Sequence, residues 1–376
     1  MTEREACIAF NLLPDVGAAA VRRMASEHGG IAAAWEAQEN PLDWEGEEPR
    51  WEREIELAAK MKVSIVTLAD GDYPPLLKEI ASPPLALYVA GDPAALSRKG
   101  VALVGTRRPT LYGEETARNF AVGLSHAGWA IYSGLALGID AAAHRGALLA
   151  RGITAGILGG ALDRFYPKAN AKLAREIVDS GGAVVSEFPF GRPPDPQTFP
   201  QRNRVVSGLS AGVVAIEAPL HSGTLITCRL AGEQGRAVMA VPGRIDCRTA
   251  AGCLNLIREG AQMVTSVDDV IEDLTPLTSK AVRQQSVKRE ERPGKATPRR
   301  PAGEKPAIPP EAVISLEEAM VLRAMPDGET TIDAVARAAG LPAGKVNSLL
   351  VQLRLKRRVR FLPGNRVAPV AGRNAR

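Results

Sequence analysis

Seven short apolar runs punctuate the middle of the chain: ALYVAG, VALVG, AIYSG, ITAGILG, AVVSE, GVVAIEA and AVMAVPG. They are apolar throughout rather than alternating, and helix-sized stretches separate them. Strands buried on both faces need that pattern, so it predicts a mostly parallel sheet covered by helices on both sides. The expected fold is α/β, an extended, doubly wound Rossmann-like core over residues 66–275. Before it, residues 1–65 read as a small helical domain of alanine-rich amphipathic stretches broken at Pro14, His28-Gly29-Gly30 and Asn40-Pro41. After it, 276–312 combines Pro, Lys, Arg and Glu with almost no apolar content, which predicts a disordered linker because nothing there can offset the entropy of folding. Three further helical periods, SLEEAMVLRAM, IDAVARAAG and AGKVNSLLVQLRLKRRV, precede a hairpin, VRFLPGNRVAP, turning at Pro363-Gly364-Asn365. Three helices and a hairpin predict a winged helix over 313–370.

Charge changes this picture through its placement. The formal net charge is only +5 over 376 residues. Residues 1–72 carry 7 Lys/Arg against 15 Asp/Glu, and 73–275 carry 20 against 18. The linker carries 9 against 4, residues 313–350 carry 3 against 5, and 351–376 carry 8 against none. A nearly balanced core holds no polyanion through a diffuse field, so a nucleic-acid site there must be a local patch of particular cations. The segment LLPDVGAAAVRRM resembles half of a helix-hairpin-helix, but Asp15 replaces the usual glycine and the surroundings are acidic. A packing or protein-contact domain is therefore expected at this end. Four cysteines without a CxxC pair make a zinc site or disulfide framework unexpected, and no metal or cofactor is expected. The absence of a secretory pattern and of any bilayer-length apolar run predicts a cytoplasmic protein without membrane insertion.

The loops after the runs carry the candidate chemistry, since open α/β sheets bind ligands at their strand ends. Gly105-Thr106-Arg107-Arg108 stands where dinucleotide enzymes place GxGxxG, and that pattern is absent. Glu114 and Glu115 follow in the expected helix start, so a nicotinamide cofactor is disfavoured. Arg107 suits either a bidentate phosphate grip or a surface ion pair. Ser133 and Gly134 are candidate ligand contacts, Asp140 reads as a helix N-cap, and His144 as its buried partner. ALDRFYPKANAKL sets Phe165 and Tyr166 beside Arg164, Lys168 and Asn170, a mixture that suits single-stranded nucleic acid, although a ring in such a loop also serves a core. A long proline-rich excursion delivers Arg202, Asn203 and Arg204 after Phe199; these suit phosphates and a base edge, or pairing with Glu187 or Glu217. Ser222-Gly223-Thr224 at a helix start can form an anion nest or simply a cap.

Taken in order, YPPLLKEIASPPLALYVAGD, VALVGTRRPTLYG, SGLALGIDAAAH, GGALDRFYPKAN, SEFPFG, FPQRNRVVSGLS, EAPLHSGTLIT, GRAVMAVPGRI and LIREGA closely resemble the DNA-processing protein family DprA, also called Smf. The resemblance runs from about Tyr73 to Asp273. It implies a core that binds single-stranded DNA, forms a homodimer and loads the recombinase RecA onto DNA taken up in natural transformation. It also implies an N-terminal helical domain of sterile-alpha-motif (SAM-like) type and a C-terminal winged helix. By the same resemblance the DNA pocket draws on Gly105, Thr106 and Arg107, on Ser133 and Gly134, on Lys168, on Arg202, Asn203 and Arg204, and on Ser222, Gly223 and Thr224. The last helix departs from the family in reading LRLKRR where an acidic residue is common, a sequence that also attracts a phosphate backbone.

Two readings from other classes compete. The chain around EAPLHSGTLIT also resembles Rossmann-type phosphoribohydrolases of nucleoside monophosphates, whose PGGxGTxxE motif ends in a working glutamate. Here Thr227 follows Gly223-Thr224-Leu225-Ile226, so the group that chemistry requires is missing and a non-enzymatic protein is expected. A transcription regulator would need tight duplex binding by residues 313–376 alone.

Overall fold

A computed structural model describes residues 1–13, 16–37, 50–275, 316–326, 328, 330–342, 345–346, 349–350, 353, 358–362 and 366–369. The expected linker over 276–312, Asp15 and the turn at Pro363-Gly364-Asn365 lie outside them. Residues 1–292 form one compact unit and 293–376 a second.

The first unit begins with α1 (Glu3–Leu12), α2 (Ala18–His28), α3 (Ile31–Glu36) and α4 (Trp51–Met61). Thr2 starts α1 with a reciprocal cap: its hydroxyl accepts from Glu5 N at 3.2 Å while the Glu5 carboxylate accepts from Thr2 N at 2.8 Å. Two N–H groups that the helix cannot satisfy internally are thereby bonded. Gly29, at φ 85°, closes α2 in the left-handed conformation that glycine adopts without strain.

Strands β1 (Val63–Thr67), β2 (Ala86–Gly91), β3 (Gly100–Val104), β4 (Ala130–Ser133), β5 (Thr154–Ile157), β6 (Ala183–Ser186), β7 (Gly212–Ala215), β8 (Ala237–Ala240) and β9 (Gln262–Met263) make one sheet. Its order is β1-β2-β6-β5-β4-β3-β7-β8-β9. The seven apolar runs are β2 to β8. β2 pairs antiparallel with β1 and β6, and the remaining pairings are parallel. The chain lays β4, β5 and β6 on one side of β3, then returns to place β7, β8 and β9 on the other. The crevice between β3 and β7 is thus the topological switch point, where a doubly wound sheet binds its ligand.

The connections are α5 (Pro75–Lys78), α6 (Leu111–His126), α7 (Ile139–Leu149), α8 (Ala171–Asp179), α9 (Thr198–Leu209), α10 (Gly223–Glu233), α11 (Ala251–Arg258) and a final helix over 267–275. Alternation along β3 shows why its run is apolar at every position. Val101 and Leu103 pack with Phe120 and Leu124 of α6 and Ile139 of α7. Ala102 and Val104 belong to the opposite cluster, with Val205, Val206 and Leu209 of α9 and Cys228 and Ala231 of α10. Successive side chains leave a strand on opposite faces, and helices cover both here. The second cluster also takes in Phe10 of α1 and Val21 of α2.

In the second unit, helices Leu316–Arg323 and Ile332–Ala339 accompany a three-stranded antiparallel sheet of Thr330–Thr331, Arg366–Pro369 and Val359–Leu362. Thr331 caps the second helix through Ala334 N at 3.3 Å, and Gly340, at φ 66°, ends it. Val346, Leu350 and Leu353, at helical spacing, join Val321, Val335, Val359 and Val367 in its core. This is the winged-helix arrangement. Among the described residues no helix is long and apolar enough to cross a membrane.

Candidate nucleic-acid interface

A cavity of about 620 Å³ opens at the carboxyl ends of β3 and β7. Its first wall is the turn from β3 to α6. Thr106 N donates to Glu217 O at 2.7 Å and Ile139 N donates to Thr106 O at 3.2 Å, which ties the turn to β7 and α7. Gly105 is required by close approach: a Cβ there would lie 2.5 Å from Ile139 Cγ1. The Glu217 carboxylate accepts from Thr110 N at 2.9 Å and Thr110 Oγ1 at 2.6 Å, so it anchors this turn instead of neutralising an arginine. Arg107 and Arg108 line the cavity and are exposed. Among the described residues neither they nor Lys168 form an ion pair. The Arg107 guanidinium lies over the Phe199 ring, 5.2 Å from its centroid.

The floor is a buried scaffold. Arg202 reaches from α9 and donates through Nη1 to Gly134 O and Ile157 O, clamping the ends of β4 and β5. Burial pushes its pKa down to about 10, opposed by the charge of Asp140. Burial likewise raises the Asp140 pKa, and Arg202 opposes that. A guanidinium in this position binds protein carbonyls, which turns the expected phosphate contact of Arg202 into support for the loops. Ser133 is also withdrawn: its hydroxyl is buried and donates to Leu103 O at 2.6 Å. Asn170 is buried too, its amide donating to Leu135 O at 2.9 Å and Ala136 O at 3.0 Å. Asp140 is not the cap of α7. Gly138, at φ 78°, holds that position, and Asp140 lies inside the first turn, accepting from Ala136 N at 3.3 Å. His144 pairs with Thr154 Oγ1 at 2.7 Å rather than with Asp140. The Thr154 hydroxyl already donates to Ile131 O, so His144 Nδ1 carries the proton.

The remaining residues divide by the direction of their elements. Phe165 packs half-buried against Leu135, Leu158 and Leu173, while its neighbour Tyr166 is 49% exposed with its ring 6.1 Å from that of Phe199. Tyr166, Phe199 and Arg107 share a narrow cleft beside the cavity. The available signal was chemical: of two adjacent rings, the one with a hydroxyl tolerates the wet side. Lys168 is exposed at the same loop. Asn203 lines the cavity, accepting from Arg202 Nε at 3.2 Å and donating to Gly223 O at 3.4 Å. Arg204 turns away and pairs with Glu187.

The opposite wall is the start of α10. Ser222 occupies the N-cap position without making a side-chain cap, and its buried Oγ has no hydrogen-bond partner. A Cβ on Gly223 would meet nothing within 4 Å, so the backbone there is open to a ligand. A helix start with exposed N–H groups attracts anions. Pro219 and His221, both within EAPLHSGTLIT, and Thr249 complete the wall; Thr249 comes from a loop that none of the quoted motifs covers. Asp140 is the single carboxylate among the lining residues, and it is buried with Arg202 nearby.

Residues 64–275 match the family model described as DNA recombination-mediator protein A, and 304–365 match the DprA winged helix domain. Protein Smf of Escherichia coli is 45% identical over 202 residues, covering 54% of this chain and 54% of that protein, so the match spans about half of that relative. Protein Smf of Synechocystis is 36% identical over 316 residues, 80% of this chain and 79% of its own. The X-ray structure of DprA from Streptococcus pneumoniae, 34% identical, superposes with a TM-score of 0.62 over 72% of this chain and 98% of that one. A structure of DNA processing protein A from Helicobacter pylori, described as giving insight into its single-stranded DNA binding mode, is 32% identical with a TM-score of 0.51 over 57% of this chain and 96% of that one. With the matched model, the shared architecture and the full set of strand-end loops in hand, the chain belongs to the DNA recombination-mediator protein A family.

Proposed function

We propose that the cavity at the switch point holds single-stranded DNA and breaks no bond in it. In this reading the protein is a cytoplasmic homodimer that protects incoming DNA and loads RecA recombinase during natural transformation. The observation that carries the reading is the pairing of chemistry in one cavity: cations without ion pairs, Arg107 resting on a ring, share it with the open helix start at Gly223. Phosphates suit the cations and the helix start, and a base suits the exposed ring of Tyr166 in the adjoining cleft. RecA loading, protection and dimerisation are drawn from family membership.

The geometry disfavours a nucleoside-monophosphate phosphoribohydrolase. The motif of those enzymes works through a glutamate, and the one carboxylate lining the cavity is Asp140, buried with Arg202 nearby. Thr227, at the position of the missing glutamate, donates to Gly223 O at 3.4 Å, and Glu233 at the far end of α10 pairs with Arg229 at 3.6 Å. Fluorescence anisotropy with labelled oligo-dT, alongside incubation with adenosine monophosphate, separates the two. Salt-sensitive oligonucleotide binding with no base released is expected. Release of adenine would overturn the reading.

A further inference from the structure

The cavity described above takes its walls from α9 and α10, and a second one, of about 600 Å³, opens across the β3–α6 turn on the α6 side of the sheet. Its walls are largely apolar. Ile216 follows β7, and Pro242, Cys247 and Ala250 come from the segment joining β8 to α11. Tyr112, in the first turn of α6, lines the cavity and is 59% exposed, so its ring stands open to a ligand. The polar group on the wall is the buried Glu217. Thr110 fills one lone pair on each of its carboxylate oxygens, through N at 2.9 Å and Oγ1 at 2.6 Å. A carboxylate offers about four such sites, so each oxygen keeps one for a further donor.

Charge here is the reverse of that in the first cavity. Among the described lining residues the one cation is Arg244, and its guanidinium is forked onto Asp246 at 3.0 and 2.7 Å. An anion would meet a carboxylate and no free cation, whereas a neutral planar ring with N–H donors would meet apolar walls and an acceptor. Tyr112 and Pro242 also line an adjoining cavity of about 380 Å³, where Thr116 and Asn119 of α6 and Thr265 and Ser266 add hydroxyl and amide groups. The Asp269 carboxylate there accepts from Thr265 N at 2.7 Å and Ser266 N at 3.0 Å, which takes the N–H groups that a phosphate could use.

We propose that the two adjoining cavities form a nucleoside site that favours guanine, with the base against Glu217 and Tyr112 and the sugar on the hydroxyl side. Guanine presents N1–H and its N2 amino group side by side, a fork that both carboxylate oxygens can accept. Adenine and cytosine present one amino group, and thymine flanks its one N–H with carbonyls that would face the carboxylate. The guanine comes from a free nucleoside or from a base in a strand held across the turn; only the second source rests on the DNA reading.

Isothermal titration of the full chain with deoxyguanosine tests the proposal. Binding is expected at or below about 1 mM and about tenfold tighter than that of thymidine. Tyr112→Ala, at an exposed position, should weaken deoxyguanosine about tenfold through lost stacking and leave oligo-dT affinity within about twofold. Glu217→Gln, which exchanges one acceptor oxygen for a donor, should bring deoxyguanosine down to the level of thymidine. Oligo-dT carrying one dG at successive positions separates the sources. A tighter strand whose gain is lost in Tyr112→Ala assigns the site to a base of the bound strand; strands that all match oligo-dT, with deoxyguanosine still bound, assign it to the free nucleoside. No deoxyguanosine binding up to about 1 mM, equal binding of thymidine, or full binding in Tyr112→Ala overturns the proposal and leaves the groove reading standing.

Discussion

At the scale of single residues, burial assigns work that residue type does not. Arg107 in the turn after β3 and Arg202 and Arg204 on α9 are the same letter, yet one is exposed over a ring, one is clamped to carbonyls and one is paired with Glu187. The sequence marks all three as candidate phosphate ligands because the chemistry of the guanidinium is constant and its surroundings are not. Arg202→Met should cost about 3–5 kcal/mol in urea unfolding, since it strands Asp140 and two buried carbonyls without a donor. A cost below about 1 kcal/mol would contradict the clamp. His144 gives a pH signature. Burial first, and Arg202 second, hold its pKa down to about 3, whereas the unfolded chain binds that proton near the ordinary 6.5. The unfolded state therefore takes up a proton that the native state refuses. Its contribution is intact above pH 6.5 and is lost at up to about 1.4 kcal/mol per unit as pH falls toward 3. Urea unfolding of His144→Gln between pH 6 and 4.5 should show a shallower decline than the parent, and parallel curves would refute the assignment.

Elements were the most legible level. Each of the seven apolar runs is a strand because a doubly covered strand must be apolar at every position, and no other element of that length has this need. β1 escaped because it continues directly from α4 and is stabilised by antiparallel pairing with β2, a partner some twenty residues away that local pattern does not reveal. β9, only two residues long, has no pattern to read. The expected cap at Asp140 missed by a short step: α7 begins at Ile139, and Gly138 makes the bend. Two substitutions test the turns. Gly105→Ala should cost about 1–3 kcal/mol in thermal or urea unfolding by forcing the β3 turn off Ile139, as overpacking does. Ser222→Ala should change stability by less than about 0.5 kcal/mol, because its hydroxyl caps nothing, in contrast to an ordinary N-cap serine. A Ser222→Ala loss above about 1 kcal/mol would show a structural bond instead.

At the scale of the whole molecule, topology gathers cations from a nearly neutral core into one crevice. The order of strands leaves one crevice between β3 and β7, and the loops that meet there bring cations, rings and a helix start together from residues 105 to 249. The sequence showed which loops end at the sheet edge. It did not show which side chains each loop turns inward, because that depends on backbone paths such as those that bury Phe165 and expose Tyr166. A crystal structure with a short thymidine oligomer shows whether this edge cradles an unpaired strand. A phosphate is expected within hydrogen-bond distance of Arg107, a second phosphate at the backbone N–H groups of Gly223 and Thr224, and a base beside Tyr166. An oligomer bound to the first unit away from the β3–β7 crevice, with the cavity empty, would contradict it.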